Sequence, residues 1–388
     1  MTRGIPLELL ARMGVCKTTD QVIHPHNVTI DSIERFKIVA DQLLQTEPNL
    51  QFLYYTPVVD AVVEGDRIVE AVLGTKAGLR RIQASTVIDA TGDADVAAWS
   101  GVPLDGCRDQ MPLSLHSRIG NVVLKSEVGN LVQEPDLDHP GLSHGEVDSK
   151  QFAEILQRAH DEGRIGNFYG PLISFRYAPN EAHIQSTRIN ADATDPEGLT
   201  HAEVQGRIDA WAMFELWKQQ VPGFENSYFI ASGPYAFVRE TRRIVGQYVL
   251  TEHDVKDERR FPDGVATGCW YMDLHPNFTT AGAGVDWDLR GENVPGMVFH
   301  QPSCYDIPYR SLLPLNIVNL LVAGRGHSAT RLAASSTRVS ATSMAMGQAA
   351  GVAAALAVRM GVTVQELDGR KVRELLVEQG IGPYAGPA

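Results

Sequence analysis

The sequence predicts an α/β fold, and three observations predict it. Two short β-branched runs end in glycine turns: VIDATGD (Val87–Asp93) and LLVAGRGHSAT (Leu321–Thr330). From about Thr342 a helix of small and apolar residues follows the second run (Met344, Met346, Gly347, Ala350, Gly351, Ala354, Ala355). Its near-uniform apolar surface predicts burial on all sides. The composition agrees, with 388 residues of which 44% are apolar and 21% charged, and with 35 glycines and 21 prolines. Such a chain has the material for about two domains with full cores, rich in turns rather than built as a helical bundle.

Charge and cysteine usage narrow the function classes. The formal net charge of −13 argues against a dedicated nucleic-acid binder, which needs a basic face. Cys16, Cys107, Cys269 and Cys304 are dispersed, with no Cys-x-x-Cys pair and no disulfide framework, so a reducing compartment is expected. The opening MTRGIPLELLARMGV has no apolar core of signal-peptide length, and the apolar stretch around Ala349–Val358 is short for a bilayer span. The expectation is a soluble cytoplasmic protein with no membrane and no nucleic-acid partner.

In chain order, Asp31 and Glu34 read as a capping box opening a helix with Phe36, Val39, Ala40 and Leu43 on its apolar side, stopped by Pro48. Gln51–Thr56, Val58–Val63 and Arg67–Leu73 read as strands, the last two joined by the turn Glu64-Gly65-Asp66. Gly74–Gly78 makes a turn and Ser85–Ala90 a buried strand. A helix is expected from Thr200, with Glu203 completing a capping box and Trp211 and Trp217 in its core face, and Trp99 is also taken as core. Thr279–Gly296 reads as a surface loop. Val318–Ala323 reads as a buried strand, and Asp368 caps a last amphipathic helix.

The two glycine-ended strands and the small-residue helix belong together chemically. Ligands of an open parallel sheet bind beyond the carboxyl ends of its strands, and glycine there admits close backbone approach. The helix start supplies unpaired backbone N–H groups and a positive dipole end, which suits a cofactor edge that becomes anionic, such as that of a flavin. In GCWYMDLHP (Gly268–Pro276) a strand would place Tyr271, Asp273 and His275 on one face. Asp273 then orients His275 as an acid/base, or the pair only fixes a strand edge. In VRETRR, Arg239 and Arg242 clamp a substrate carboxylate in two-point fashion, or join Glu240 in a domain-interface ion network. His116 and Arg118 share a face, while His183, Arg188, His300, Tyr309 and Arg310 are weaker candidates. There is no metal-ligand spacing, so no metal is expected.

These runs also carry a resemblance. TPVVDAVVEGDRIVEAVL, VIDATGDADVAAWSGVP, VRETRRIVGQYVL, NLLVAGRGHSAT and RVSATSMAMGQAAGVAAALA, in this order over about residues 50–380, resemble the FAD-dependent oxidoreductase family among the two-dinucleotide-binding-domain flavoproteins. The resemblance implies FAD as cofactor. It implies that Val58 contacts the adenine through its backbone and that Ala90, Thr91 and Gly92 pack on the pyrophosphate side. Gly324 and Arg325 would lie beside the ribityl chain, and Met346, Gly347, Gln348 and Ala349 under the pyrimidine edge of the flavin. The superfamily opens with a strand, a G-x-G-x-x-G turn and a helix. Here Gly282-x-Gly284, Gly324-x-Gly326 and Gly380-x-Gly382 are the candidates, and none opens a helix after a first strand. Met1–Gly14 instead looks like the helix that follows the first βαβ unit.

The expectation is therefore an α/β chain with a discontinuous FAD/NAD(P)-binding Rossmann-like domain (1–107 and 311–388), its first βαβ unit missing, and an inserted α+β substrate domain (108–310). The expected function is hydride transfer between a small organic substrate and flavin. The alternative is a truncated flavoprotein-fold chain without FAD, serving as a non-catalytic binding or assembly subunit. A homo-oligomer stays open.

Overall fold

The computed structural model describes residues 3–16, 32–106, 110–122, 150–170, 173–178, 180–275, 280–281 and 302–383. Helix α1 (Ile5–Arg12) buries Leu7, Leu9 and Leu10. Helix α2 (Ile33–Gln45) is capped by Ser32, whose hydroxyl accepts from Arg35 N, and Asp31 lies outside the described residues. Gln51–Thr56 forms no strand: Leu53, Tyr54 and Tyr55 are exposed, and among the described residues nothing pairs with them as a sheet neighbour. Strands β1 (Val58–Glu64) and β2 (Arg67–Thr75) make the expected hairpin around Gly65. β3 (Gly78–Ile82) extends it into a third strand. Every residue of β3 is exposed, so it lacks the apolar alternation by which a strand is read from sequence.

The parallel element is small and central. β4 (Val87–Asp89) leads through its turn into helix α3 (Asp95–Trp99) and then β5 (Leu104–Asp105). A middle sheet of order β10-β6-β9-β8 combines β6 (Ser117–Gly120), β8 (Ile173–Ala178), β9 (Glu181–Ile184) and β10 (Tyr228–Ser232). Helices α4 (Lys150–Asp161) and α5 (Pro196–Gln220) flank it, and Phe152, Leu156, Phe168, Phe214, Trp217 and Phe224 fill its core. β7 (Tyr169–Gly170) pairs with β13 (Thr280–Ala281), and β11 (Arg243–Ile244) with β5.

Helix α5 begins earlier than Thr200. Asp195 accepts from Gly198 N and Pro196 takes the first helical position, where its missing N–H costs nothing. Thr200 then lies inside the helix with its hydroxyl on Pro196 O, and Glu203 accepts from Ala236 N. Trp217 is core as expected, but Trp211 and Trp99 are 52% and 38% exposed. Trp211 spends its buried side against Phe214 and Phe229.

The third core surrounds the antiparallel pair β12 (Gly264–Gly268) and β14 (Tyr305–Pro308), with helix α6 (Glu252–Lys256) preceding it. β15 (Leu320–Val322) runs parallel to β4, with Leu321 opposite Ile88. Helices α7 (Arg331–Thr337), α8 (Ser340–Met360) and α9 (Gly369–Glu378) complete the chain, the last capped by Asp368 as expected. Phe261, Val265, Tyr305, Ile307, Leu321, Met346, Ala353 and Leu376 belong to one cluster, so β12 and β14 share a core with the C-terminal helices.

α8 is not buried all round. Met346, Ala349, Ala350, Ala353 and Ala357 face the core, while a side chain added at Gly347 or Gly351 would meet nothing within 4 Å among the described residues. At 21 residues and a mean hydropathy of 1.4 the helix has the length and composition of a membrane span, with 33% of that window buried. Its small residues make every face apolar, so composition could not tell the packed face from the uncovered one.

Candidate functional site

Parallel pairing of β4 with β15 sets the two glycine turns side by side. Gly92 has φ +86° and Gly324 φ +83°, a region that L side chains rarely occupy. A Cβ on Gly92 would lie 2.7 Å from Arg325 Nη2, so glycine is what admits the guanidinium there. Arg325 Nη2 donates to Asp93 Oδ1 at 2.7 Å, and its Nε is buried with no hydrogen-bond partner among the described residues. Asp89, fully buried at the end of β4, holds the turn: it accepts from Thr91 N (3.0 Å), the Thr91 hydroxyl (2.7 Å) and Ala97 N (3.0 Å). Ala90 and Thr91 are exposed on the rim of this turn, and Val58 is partly buried at the start of β1.

The start of α8 abuts the second turn. Its N-cap is Val339, which has no side-chain acceptor for the first-turn N–H groups. The Ser343 side chain lies 3.9 Å from the point where a Cβ on Gly324 would be. The helix mouth is therefore Ser340–Ser343, not Met346–Ala349. Met346 and Ala349 are packed in the core, Gln348 Oε1 accepts from Ile5 N at 3.0 Å, and Gly347 stands open. Sequence reading missed the earlier start because Val339 is no capping residue, leaving no start signal.

A buried polar cluster lies beside that mouth. The segment after β12 is not a strand, yet it brings His275 Nε2 to 3.4 Å from Asp273 Oδ1. Arg338, between α7 and α8, donates from Nη2 to Asp273 O and Oδ2, both at 3.0 Å. Its own carbonyl accepts from Ser343 Oγ at 3.3 Å, which ties the His–Asp pair to the first turn of α8. Burial pushes the His275 imidazole down to about 3, Asp273 works against that shift, and Arg239 adds to it. His275 is therefore neutral at ordinary pH. Tyr169 meets it edge-on, 6.2 Å between ring centroids.

The arginines do not pair as the sequence suggested. Residues 239–242 carry no regular secondary structure, and the two guanidiniums go to different partners. Arg239 Nη1 donates to Ser114 Oγ (3.0 Å) and Pro112 O (2.7 Å), whereas Arg242 Nε donates to Asp93 O at 2.9 Å and its Nη2 engages the Asp95 carboxylate. The second guanidinium beside Arg239 is that of Arg188, whose Nη1 donates to the same Ser114 Oγ at 2.9 Å. Both arginines are buried, and both depress His275 electrostatically.

The weaker candidates take structural places. His116 packs on His183 and Phe237, Arg118 pairs with Glu181, and Tyr309 is buried with its hydroxyl on Val364 O. Arg310 pairs with Asp263, and His300 lies outside the described residues. No cluster of three or more metal-ligating side chains occurs among the described residues.

Residues 1–376 match the sequence profile of the FAD dependent oxidoreductase family. The chain belongs to that family. No curated protein sequence matches it. Among solved structures, this family member is similar to a geranylgeranyl bacteriochlorophyll reductase-like protein of Thermoplasma acidophilum (12% identity, TM-score 0.40, 89% of this chain and 59% of that one). It is also similar to the myxobacterial chondrochloren halogenase CndH (11%, 0.40, 90% and 56%). A third is p-nitrophenol 4-monooxygenase PnpA of Pseudomonas putida DLL-E4 (14%, 0.30, 55% and 44%). The chain thus spans less than three-fifths of each of these proteins.

Membership brings FAD as the cofactor, and the residues present fit it. The left-handed Gly324 leaves room for a ligand against the backbone, the left-handed Gly92 seats the Arg325 guanidinium, whose Nε is buried without a partner among the described residues, and α8 starts on Val339 with no side-chain cap. Such a set is complementary to a group carrying negative charge.

Proposed function

We propose that the chain oxidises or reduces a small organic substrate by hydride transfer to or from FAD. When bound, the flavin supplies the electron chemistry. The observation that carries the reading is the continuous path from the Gly324 turn through Ser343 and Arg338 to Asp273 and His275. The turns at Gly92 and Gly324 would hold the dinucleotide, with Arg325 toward its phosphates and Ser340–Thr342 N–H groups toward the anionic edge of the ring. Arg188 and Arg239 would bind the substrate, because two cations hinged on one hydroxyl attract a polar or anionic group. His275 is in the neutral form that accepts a proton. At about 3 it is a weak base, and Asp273 is the group that stabilises its protonated form.

The inserted substrate domain and a first βαβ unit lying outside this sequence belong to the same proposal. Among the described residues, the two-stranded β4–β15 pair and the open face of α8 support it. They also favour the second reading, a cofactor-free binding subunit, if nothing completes the sheet. Purified full-length chain decides between them. A bound flavin spectrum that bleaches under anaerobic reduction by a substrate supports the enzyme, and Arg239→Lys should then raise KM at least tenfold with little change in flavin content. A well-folded chain that takes up no added FAD overturns the enzyme reading for this chain alone. A soluble, cytoplasmic location and action without a nucleic-acid partner are part of the proposal.

A further inference from the structure

The register of β12 and β14, continued by one residue, brings two cysteines opposite each other. Thr267 faces Asp306 and Gly268 faces Tyr305, the last pair of the ladder, and continuing that register by one residue brings Cys269 to Cys304, which lies close enough to feel it electrostatically. Side-chain packing confirms the alignment. The Tyr305 ring lies over Gly268, within 2.2 Å of where a Cβ would be, which puts residues 268 and 305 on one face. Arg260 spans the other face, donating from Nη1 to Asp306 Oδ1 (2.8 Å) and from Nη2 to Cys304 Sγ (2.6 Å), as expected for side chains two residues apart on a strand. Both cysteines are in the thiol form and buried. Directly opposed residues of an antiparallel pair have Cα atoms roughly 4.5–5.5 Å apart, inside the span a disulfide bridges.

We propose that Cys269 and Cys304 are a redox-active dithiol that closes to a cross-strand disulfide when the protein meets a two-electron oxidant of the peroxide class. The steps balance. The Cys304 sulfur attacks one peroxide oxygen and breaks the O–O bond, giving a sulfenic acid and releasing the other oxygen as water. The Cys269 sulfur then attacks the Cys304 sulfur, forming the S–S bond and expelling the sulfenic oxygen as a second water. Two thiols are oxidised, one hydrogen peroxide is reduced, and both thiol protons leave in water. Arg260 is the group placed to favour the attacking sulfur, because its guanidinium stabilises negative charge at Cys304. Burial opposes it by raising the thiol, so the pair stays reduced until oxidant is supplied. The bridge would tether the chain at the point where it departs toward Asp273 and His275, closing a loop between residues 269 and 304.

The test treats folded full-length protein with hydrogen peroxide, blocks remaining thiols by alkylation, and maps the unreduced digest by mass spectrometry. The expected result is a linked Cys269–Cys304 peptide pair that separates on dithiothreitol treatment, together with a Tm that rises on oxidation and returns on reduction. Cys304→Ser should leave Cys269 recovered as an alkylated free thiol, and Arg260→Ala should slow bridge formation several-fold. The proposal is overturned if Cys304 goes on to sulfinic acid while Cys269 remains a thiol, if either cysteine links to Cys16 or Cys107 instead, or if both stay alkylatable after peroxide. None of these readouts depends on bound flavin.

Discussion

Gly92→Ala tests the geometry of the paired turns. The backbone there has φ +86°, and an L side chain in the left-handed region costs about 1–2 kcal/mol. The new methyl also meets Arg325 Nη2 at 2.7 Å and must push the guanidinium off Asp93. That ion pair is about a quarter exposed on each side, and displacing it adds about 0.5–1 kcal/mol. A stiffer unfolded chain offsets about 0.4–1 kcal/mol. The net expectation is a loss of about 1.5 kcal/mol. In an Arg325→Ala background the methyl has room, so the same substitution should cost only about 1 kcal/mol. Urea unfolding followed by circular dichroism measures both, provided the slope with denaturant is unchanged so that the midpoint reports stability. Equal losses in the two backgrounds would refute the contact, and a loss below about 0.5 kcal/mol would refute the strained turn itself.

Other predictions rest on single groups. His327 is fully buried, with Nε2 2.8 Å from Thr337 Oγ1, and burial followed by the nearby Arg243 charge pushes it from 6.5 down to about 3. The folded state therefore keeps it neutral while the unfolded chain takes up a proton below 6.5. Its contribution is complete above that pH and is lost as the pH falls toward 3, at up to about 1.4 kcal/mol per unit. His327→Asn should flatten the midpoint-against-pH curve between pH 6 and 4 by about one proton, and an unchanged curve would count against a neutral buried His327. Tyr309→Phe removes the 2.7 Å donor to Val364 O and should cost about 1–2 kcal/mol of stability while leaving KM unchanged. A changed KM would return Tyr309 to the substrate cleft. Gly268→Ala would set a methyl 2.2 Å from the Tyr305 ring, so soluble protein should be scarce, and Tyr305→Ala should restore its yield.

How much was legible in the sequence follows from how local each signal is. The β1–β2 hairpin was readable because its turn and alternating apolar residues are neighbours in the chain, and the Asp368 cap because its partner is Arg370 N. The glycine ends of β4 and β15 were readable as turns for the same reason, and the order of the family's motifs named the cofactor. Signals failed where the deciding contact was remote. Arg239 looked paired with Arg242 by spacing, yet one guanidinium goes to Ser114 and the other to Asp95, partners that lie far away in the chain. The Asp273–His275 pair was anticipated for the wrong reason, since the segment is not a strand and Arg338, from another element, helps hold Asp273.

What the sequence determined by itself was the inventory of local elements and the family, because periodicity, turn residues and motif order are properties of neighbouring positions. Tertiary structure alone decided the register that sets β4 beside β15, that Arg188 is the guanidinium beside Arg239, that one face of α8 is open among the described residues, and that the β12–β14 register points Cys269 toward Cys304. Each of these depends on strand register or on burial between segments far apart in the chain, and no local propensity encodes that.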